Sequence, residues 1–266
     1  MRLDGRCAVL TGAGTEVGRA VAAEAARLGM RLILVDRVAE RLDVVRAHLP
    51  SGSDAEALVA DIAHPIGRRA VHAAVARRFG HLHLLVSHAD FVVAGPLREL
   101  DDEDIAAAIQ INLTAPTMLV RELIDLMRAA APARVAVVGS VLGEIGQPML
   151  SAYTAAKCGL RGLTSALRRE LAPFGVGVTY VAARPVSTDV GAVHQRHTMV
   201  SSSWTCDPVR LARRLMSAVV HDKDVAYERS GDRFLALVER LWPGLIDWSI
   251  VRRGEVGPER QDVSAR

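Results

Sequence analysis

Short runs of β-branched and aliphatic residues alternate along this chain with longer Ala-, Leu- and Arg-rich stretches of helical period. Strands separated in this way can pair only by crossing back through a helix each time, which selects a parallel sheet covered on both faces. Residues 6–11, 31–36, 56–60, 82–87, 133–139 and 176–182 are the expected strands, and 16–29, 38–48, 65–79, 102–130, 151–172 and 207–221 the expected helices. Each helix is long enough to cross over in the right-handed sense. The expected fold class is α/β, a single doubly wound parallel sheet with helices on both faces. Pro116 cannot donate an internal hydrogen bond, so the fourth helix should break into a short lead and a longer body, with Asn112 just before the irregularity.

With 266 residues, 50% of them apolar and 24% charged, the chain can bury a large core and is not a disordered polymer. Thirty-three cations against 30 anions give a net charge of +3, too even a balance for the concentrated basic face that a phosphate backbone requires. No nucleic-acid partner is expected. Cys7, Cys158 and Cys206 are odd in number and form no CxxC, so neither a disulfide framework nor a thiolate zinc site is indicated, and a reducing cytoplasm is the expected setting. The N-terminus offers only about four consecutive apolar residues, too few for a signal peptide. Residues 234–251 are interrupted by Glu239, Arg240, Pro243 and Asp247 and cannot form an uncharged membrane span.

The first strand ends in Thr11-Gly12-Ala13-Gly14-Thr15-Glu16-Val17-Gly18 and runs straight into a helix. Amides at a helix start face such a loop and can hold a pyrophosphate, which makes Gly12, Gly14, Thr15, Val17 and Gly18 cofactor-binding candidates. A tight turn would also select glycine; the strand-to-helix setting favours the nucleotide. Asp36 ends the second strand about 20 residues later, where a carboxylate can accept hydrogen bonds from both hydroxyls of an adenosine ribose, favouring NAD(H). Arg37 beside it would partly offset the repulsion of a 2′-phosphate, so NADP(H) stays open. The plainer alternative for Asp36 is a solvated turn residue.

Tyr153 and Lys157 stand four apart near the start of an expected helix and therefore project from one face. Only two of the 33 cations are lysines, Lys157 and Lys223, so composition pushes towards arginine where a lysine stands. A compact ammonium can approach a phenol and a sugar hydroxyl without imposing a planar fork. At about 5 Å and an effective dielectric near 20 its charge is worth roughly 3 kcal/mol, or about two pKa units off a phenol that starts near 10. The phenol then becomes a usable proton donor and acceptor near neutrality. Ser140, just past the fifth strand, could share a substrate oxygen with that phenol; alone it would be an ordinary loop serine.

Taken together these residues resemble a classical short-chain dehydrogenase/reductase, over about residues 3–221. The glycine loop, Asp36, Asp61-Ile62, Asn112, Ser140, Tyr153 and Lys157 fall at the family's positions and in its order, and the last four match its catalytic tetrad. The resemblance implies a Rossmann-type fold and hydride transfer between a nicotinamide and a carbonyl or alcohol, with Tyr153 as general acid/base. It implies that Lys157 lowers the phenol pKa and binds the nicotinamide ribose, that Ser140 orients the substrate oxygen, and that Asn112 holds a water in the proton relay. Asp61 and Ile62 would lie beside the adenine, and Thr188 would contact the carboxamide. A homodimer or homotetramer packed through 102–130 and 151–172 is a further implication.

Three departures fall in the cofactor motifs. Glu16 takes the place of the loop's second glycine, where its carboxylate would stabilise the helix start yet compete with phosphate for the same amides, unless it points outward. Ser87-His88-Ala89-Asp90 stands where the family has Asn-Asn-Ala-Gly; Ser and His can supply hydrogen bonds, and Asp tolerates a left-handed backbone if that position needs one. His88 and Ala89 are kept as cofactor-binding candidates. Pro185-Val186 replaces the usual Pro-Gly beside the nicotinamide.

His81-x-His83 and His194-x-x-His197 are not completed by a carboxylate or thiolate at ligand spacing, so no metal is expected. Residues 1–230 are expected to form the dinucleotide-binding and catalytic domain, with a substrate lid at about 184–207. Residues 231–252 would be an apolar helical extension and 253–266 a polar, disordered tail. The extension reads as core or subunit interface first, and as a flap over a lipophilic substrate second; membrane-surface contact is not expected. The expected activity is an NAD(P)-dependent oxidoreductase interconverting a secondary alcohol and a ketone on an apolar small molecule. The rival is a catalytically silent relative that senses a dinucleotide or binds a partner.

Overall fold

The computed structural model describes residues 1–185 and 205–252. Strands β1 (Cys7–Thr11), β2 (Arg31–Asp36), β3 (Ala55–Val59), β4 (Leu84–Ser87), β5 (Ala133–Ser140), β6 (Val176–Ala183) and β7 (Val225–Tyr227) form one sheet in the order β3-β2-β1-β4-β5-β6-β7. Every pairing is parallel. Successive strand side chains point to opposite faces, and in a sheet covered on both sides each face must be apolar. Cys7, Val9, Ile33, Val35, Val135 and Val137 accordingly enter one core layer, while Ala8, Leu10, Leu32, Leu34, Ala136 and Val138 enter the other.

The helices that cover those faces are α1 (Glu16–Arg27), α2 (Ala39–Ala47), α3 (Pro65–Arg78), α4 (Asp102–Ile109), α5 (Ala115–Ala129), α6 (Ser151–Leu171) and α7 (Pro208–Val220). Their starts carry local signals. The Thr15 hydroxyl caps α1 by accepting from the Gly18 amide, and the Asp207 carboxylate caps α7 by accepting from Val209 and Arg210. Helices α8 (Ser230–Leu241) and α9 (Pro243–Arg252) follow, joined at Trp242. Phe234, Leu237, Leu241, Trp242, Leu245 and Trp248 are exposed along them. No described helix is long and apolar enough to cross a membrane.

Strand β7 was absent from the sequence reading because three residues carry no measurable period; it exists because β6 pairs with it, Tyr180 standing opposite Val225. Pro116 divides the expected fourth helix into a short lead, α4, and a longer body, α5, with Asn112 in the irregular turn between them. The break takes the form of a wide π turn over Gln110–Thr114 that keeps right-handed helical dihedrals and sets Pro116 in the first turn of α5, where a residue without an N–H is tolerated. Val186, Thr188, His194, His197, most of the expected lid and the tail at 253–266 lie outside the described residues.

β1 is flanked by β2 on one side and β4 on the other. The order of strands reverses there, which opens a crevice outside their carboxyl ends, the place where open α/β sheets bind ligands. The ends of β1, β4 and β5 bring Thr11, Ser87 and Ser140 to that edge.

Candidate active site

The glycine loop and the segment after β4 are knitted together across the crevice. The Thr11 hydroxyl oxygen accepts from the amides of His88 and Ala89 at 3.1 and 3.3 Å. Gly12 adopts φ +67°, and a Cβ there would lie 3.0 Å from the Ala89 nitrogen. A Cβ on Gly18 would lie 2.1 Å from the Gly12 carbonyl oxygen, so helix α1 reaches its position only with glycine at both places. Thr15 Oγ1 donates to that carbonyl at 2.9 Å, accepts from Gly18, and sits 2.9 Å from His88 Nε2. With its single hydrogen on Gly12, the hydroxyl must accept from Nε2–H. His88 Nδ1 is then a buried acceptor without a partner among the described residues. Burial pushes the His88 pKa down to about 4, keeping the ring neutral.

Asp36 is buried at the end of β2 and binds the loop itself. One carboxylate oxygen accepts from the Gly14 amide at 2.9 Å and the other from Val38 at 3.1 Å. It is therefore not a solvated turn residue, and Gly14 N–H, expected to face a phosphate, is already occupied. Arg37 is exposed beside it. The side chains of Val17 and Ile62 lie in the core, so only their backbones face outward as candidates. Asp61 accepts from the Ala63 amide at the entry to α3. Pro185 is buried, and its carbonyl accepts from Cys206. The amides of Glu16 and Val17 meet no acceptor among the described residues. Those amides, the orphaned His88 Nδ1 and the close glycine contacts fit a dinucleotide laid across the start of α1.

The first turns of α6 bury Tyr153 and Lys157 side by side. Lys157 Nζ lies 5.3 Å from the centre of the Tyr153 ring. Ser140 hydrogen-bonds the Tyr153 phenol and also accepts from the Leu142 amide. Its backbone is held in both directions by the buried Tyr180 phenol, which donates to the Ser140 carbonyl at 3.0 Å and accepts from the Ser140 amide at 3.2 Å. Gly139 makes room for this, since a Cβ there would lie 2.2 Å from the Tyr180 ring. Asn112, in the π turn, donates to the carbonyls of Phe91 and Ala108 and accepts from the Phe91 amide. One side-chain hydrogen fixes the segment after β4 at Phe91, and the other is spent on Ala108, a turn earlier in α4.

Asp90 completes the group. Its carboxylate pairs with Lys157 Nζ at 2.9 Å and accepts from the Tyr153 hydroxyl at 3.3 Å. This overturns the expected direction of the phenol pKa. Burial pushes Tyr153 well above its usual value, and the Asp90 carboxylate pushes it further by charge and hydrogen bond; the Ser140 hydrogen bond acts the other way. The sequence registered Asp90 as a residue suited to a left-handed backbone, yet its φ is not positive. The missed signal was a carboxylate three residues past the end of a strand that lines the crevice. Tyr180 was missed because nothing local to it points at Ser140, 40 residues away.

The family model for short chain dehydrogenase matches residues 6–198. A 3beta-hydroxysteroid dehydrogenase of Mediterraneibacter gnavus is 34% identical over 190 residues, covering 71% of this chain and 68% of the relative. A short chain dehydrogenase/reductase of Burkholderia phymatum, solved in complex with NAD, superposes with a TM-score of 0.78 at 24% identity, covering 97% of this chain and 99% of the other. A metagenomic short-chain oxidoreductase, solved in complex with NADP, gives a TM-score of 0.71 at 29% identity, covering 84% and 94%.

Proposed function

The chain belongs to the short-chain dehydrogenase family, and from that premise we propose that it interconverts a secondary alcohol and a ketone on an apolar small molecule, with Tyr153 as general acid and base. The observation that carries this reading is the buried pair on α6: a phenol hydrogen-bonded to Ser140, with an ammonium 5.3 Å from its ring. The Gly12–Gly18 loop, Asp36, His88, Ala89 and Lys157 are the residues we assign to hold a nicotinamide dinucleotide, which when bound supplies or takes the hydride. NAD(H) is the favoured form, because the Asp36 carboxylate beside the loop opposes a 2′-phosphate.

In the reducing direction Tyr153 gives its proton to the ketone oxygen, and its raised pKa keeps the phenol protonated for that step. In the oxidising direction the phenol must first lose that proton, which Asp90 opposes and Lys157 favours. Ser140 orients the oxygen, and its own position is fixed by Tyr180. Support for an apolar substrate comes from the steroid dehydrogenase among the relatives. The same reading has residues 1–230 working as one domain, with 231–252 as its extension, in a cytoplasmic homodimer or homotetramer.

The test is titration with NADH and NADPH by fluorescence quenching, followed by a panel of ketones and secondary alcohols. Turnover is expected, with Tyr153→Phe reducing it by about 10²–10⁴-fold while leaving nucleotide affinity nearly unchanged. Retained turnover in that variant removes Tyr153 from its role. One observation favours a silent dinucleotide-sensing protein instead: Asp90 occupies both Lys157 and the phenol. Nucleotide binding with no turnover across the panel selects that second reading.

A further inference from the structure

We propose that Cys7, His81 and His83 form a zinc(II) site at the end of the sheet opposite Tyr153. Sequence spacing alone leaves His81-x-His83 without a third ligand; the sheet supplies one. β1 and β4 are hydrogen-bonded neighbours in the register Ala8 opposite Leu84, so Cys7 and His83, one residue earlier on each side, stand next to each other. Their side chains meet, with Cys7 Sγ 3.2 Å from His83 Nδ1. The His81 ring packs edge-on against His83 at 4.8 Å between centroids, and one ligand atom from each of the three residues lies within 4.8 Å of the others.

A tetrahedral zinc ion with Zn–S near 2.3 Å and Zn–N near 2.0 Å sets sulfur and nitrogen roughly 3.5 Å apart. The Cys7–His83 pair is within a few tenths of an ångström of that spacing. His81 must close by up to about 1.3 Å to reach that spacing, and it is a half-buried residue just outside a strand, where a side chain can turn. Cys7 is buried and in no disulfide, and its thiol now rests 3.2 Å from the His81 carbonyl oxygen, a weak contact that a metal would replace. One soft thiolate and two imidazoles are a donor set for zinc and not for magnesium or calcium, and three protein ligands leave a fourth position to solvent.

The neighbouring cations do not close the site. Arg6 donates to the Pro132 carbonyl, and Arg31 is paired with Asp54. A thiolate would also return one negative charge to this corner. Cys7 begins β1 and the glycine loop follows its end, so about 15 Å of strand separates this cluster from the cofactor loop. The metal would therefore tie the segment before β4 to the start of β1 and take no part in the chemistry at Tyr153. This inference is independent of the enzyme reading.

The test uses the full chain, reduced, free of any affinity tag and stripped by a chelator. Calorimetric titration with zinc should give one equivalent, and cobalt(II) in its place should give a thiolate charge-transfer band. Cys7→Ser and His83→Gln should each weaken zinc binding by about 100-fold or more and abolish or diminish that band. His81→Gln, at a half-buried position outside the strands, should weaken binding without threatening the fold. Cys158→Ser, at an exposed cysteine, should change nothing. Zinc at a hundredfold excess over Kd should raise Tm by roughly 5 °C in the parent chain and not in Cys7→Ser. Absence of a stoichiometric zinc equivalent in the parent chain overturns the proposal. So does a cobalt band that survives Cys7→Ser or disappears in Cys158→Ser.

Discussion

Replacing Asp90 by Asn removes a full negative charge 3.3 Å from the Tyr153 hydroxyl while keeping the shape of the side chain. At an effective dielectric near 20, a charge at that distance disfavours the phenolate by roughly 5 kcal/mol, against roughly 3 kcal/mol in its favour from an ammonium 5.3 Å from the ring. The Asp90 side chain is 24% exposed, so solvent screens part of its effect, and about half of the first figure is a fair expectation. That corresponds to a fall of about two pKa units. The phenol stays above its ordinary value even so, because burial is the larger cause and is untouched. Alcohol oxidation needs the phenolate, so its kcat/KM rises with pH until the phenol is deprotonated. In Asp90→Asn the rising limb should move down by about two pH units, and the rate at pH 8 should increase by about tenfold, the gain in phenolate being partly offset by its weaker basicity. Asp90→Gly, which removes the side chain entirely, should move the limb in the same direction. The assay is the pH profile of kcat/KM for a secondary alcohol, with circular dichroism to check the fold. A limb that stays within about half a unit of the parent, or moves upward, refutes the electrostatic argument.

Asp36→Ala should shift the ratio of kcat/KM values towards NADPH over NADH; an unchanged ratio shows that this carboxylate does not meet the ribose. The same variant also leaves the Gly14 and Val38 amides without their acceptor, and a loss of about 1–3 kcal/mol should appear in urea unfolding. His88 has a folded pKa of about 4 against 6.5 for the free side chain, so between those values the unfolded chain binds a proton that the folded chain refuses. Stability contributed by the neutral ring is complete above pH 6.5 and is lost as pH falls towards 4, by about 3 kcal/mol in all. His88→Asn should therefore flatten the fall in urea midpoint between pH 7 and 4.5, and an unaltered slope would place the acid sensitivity elsewhere. Arg184→Met strands the fully buried Asp232 carboxylate, now held at 2.6 Å, and should cost about 3–5 kcal/mol. Arg184→Met combined with Asp232→Leu should recover most of that in the same unfolding assay; no recovery would mean that Arg184 stabilises the fold through other contacts.

The fold was largely legible because its causes are local. Apolar runs of four to eight positions and helical spacing over eight or more are written in consecutive residues, and six strands follow from them. β7 escaped because its three residues gain their conformation from β6 and not from their own pattern. The glycine loop was legible for a related reason: Gly18 answers to the Gly12 carbonyl within one strand-to-helix turn, and Gly12 turns with φ +67°, although the closest neighbour of Gly12, Ala89, comes from far along the chain. The pairing of Tyr153 with Lys157 was equally local, since one turn of a helix brings residues four apart to the same side.

What the tertiary structure decided is electrostatic and long-range. A helix places an ammonium beside a phenol, but the sign of the phenol's shift depends on which third group arrives, and that group comes from beyond β4, 63 residues away from Tyr153. The thiol that stands against His83 comes from 76 residues away, through the neighbouring of β1 and β4. Periodicity records what each segment buries and which turns it can make. Charges and ligand atoms act through space, so their balance exists only once strands distant in the chain have been laid side by side.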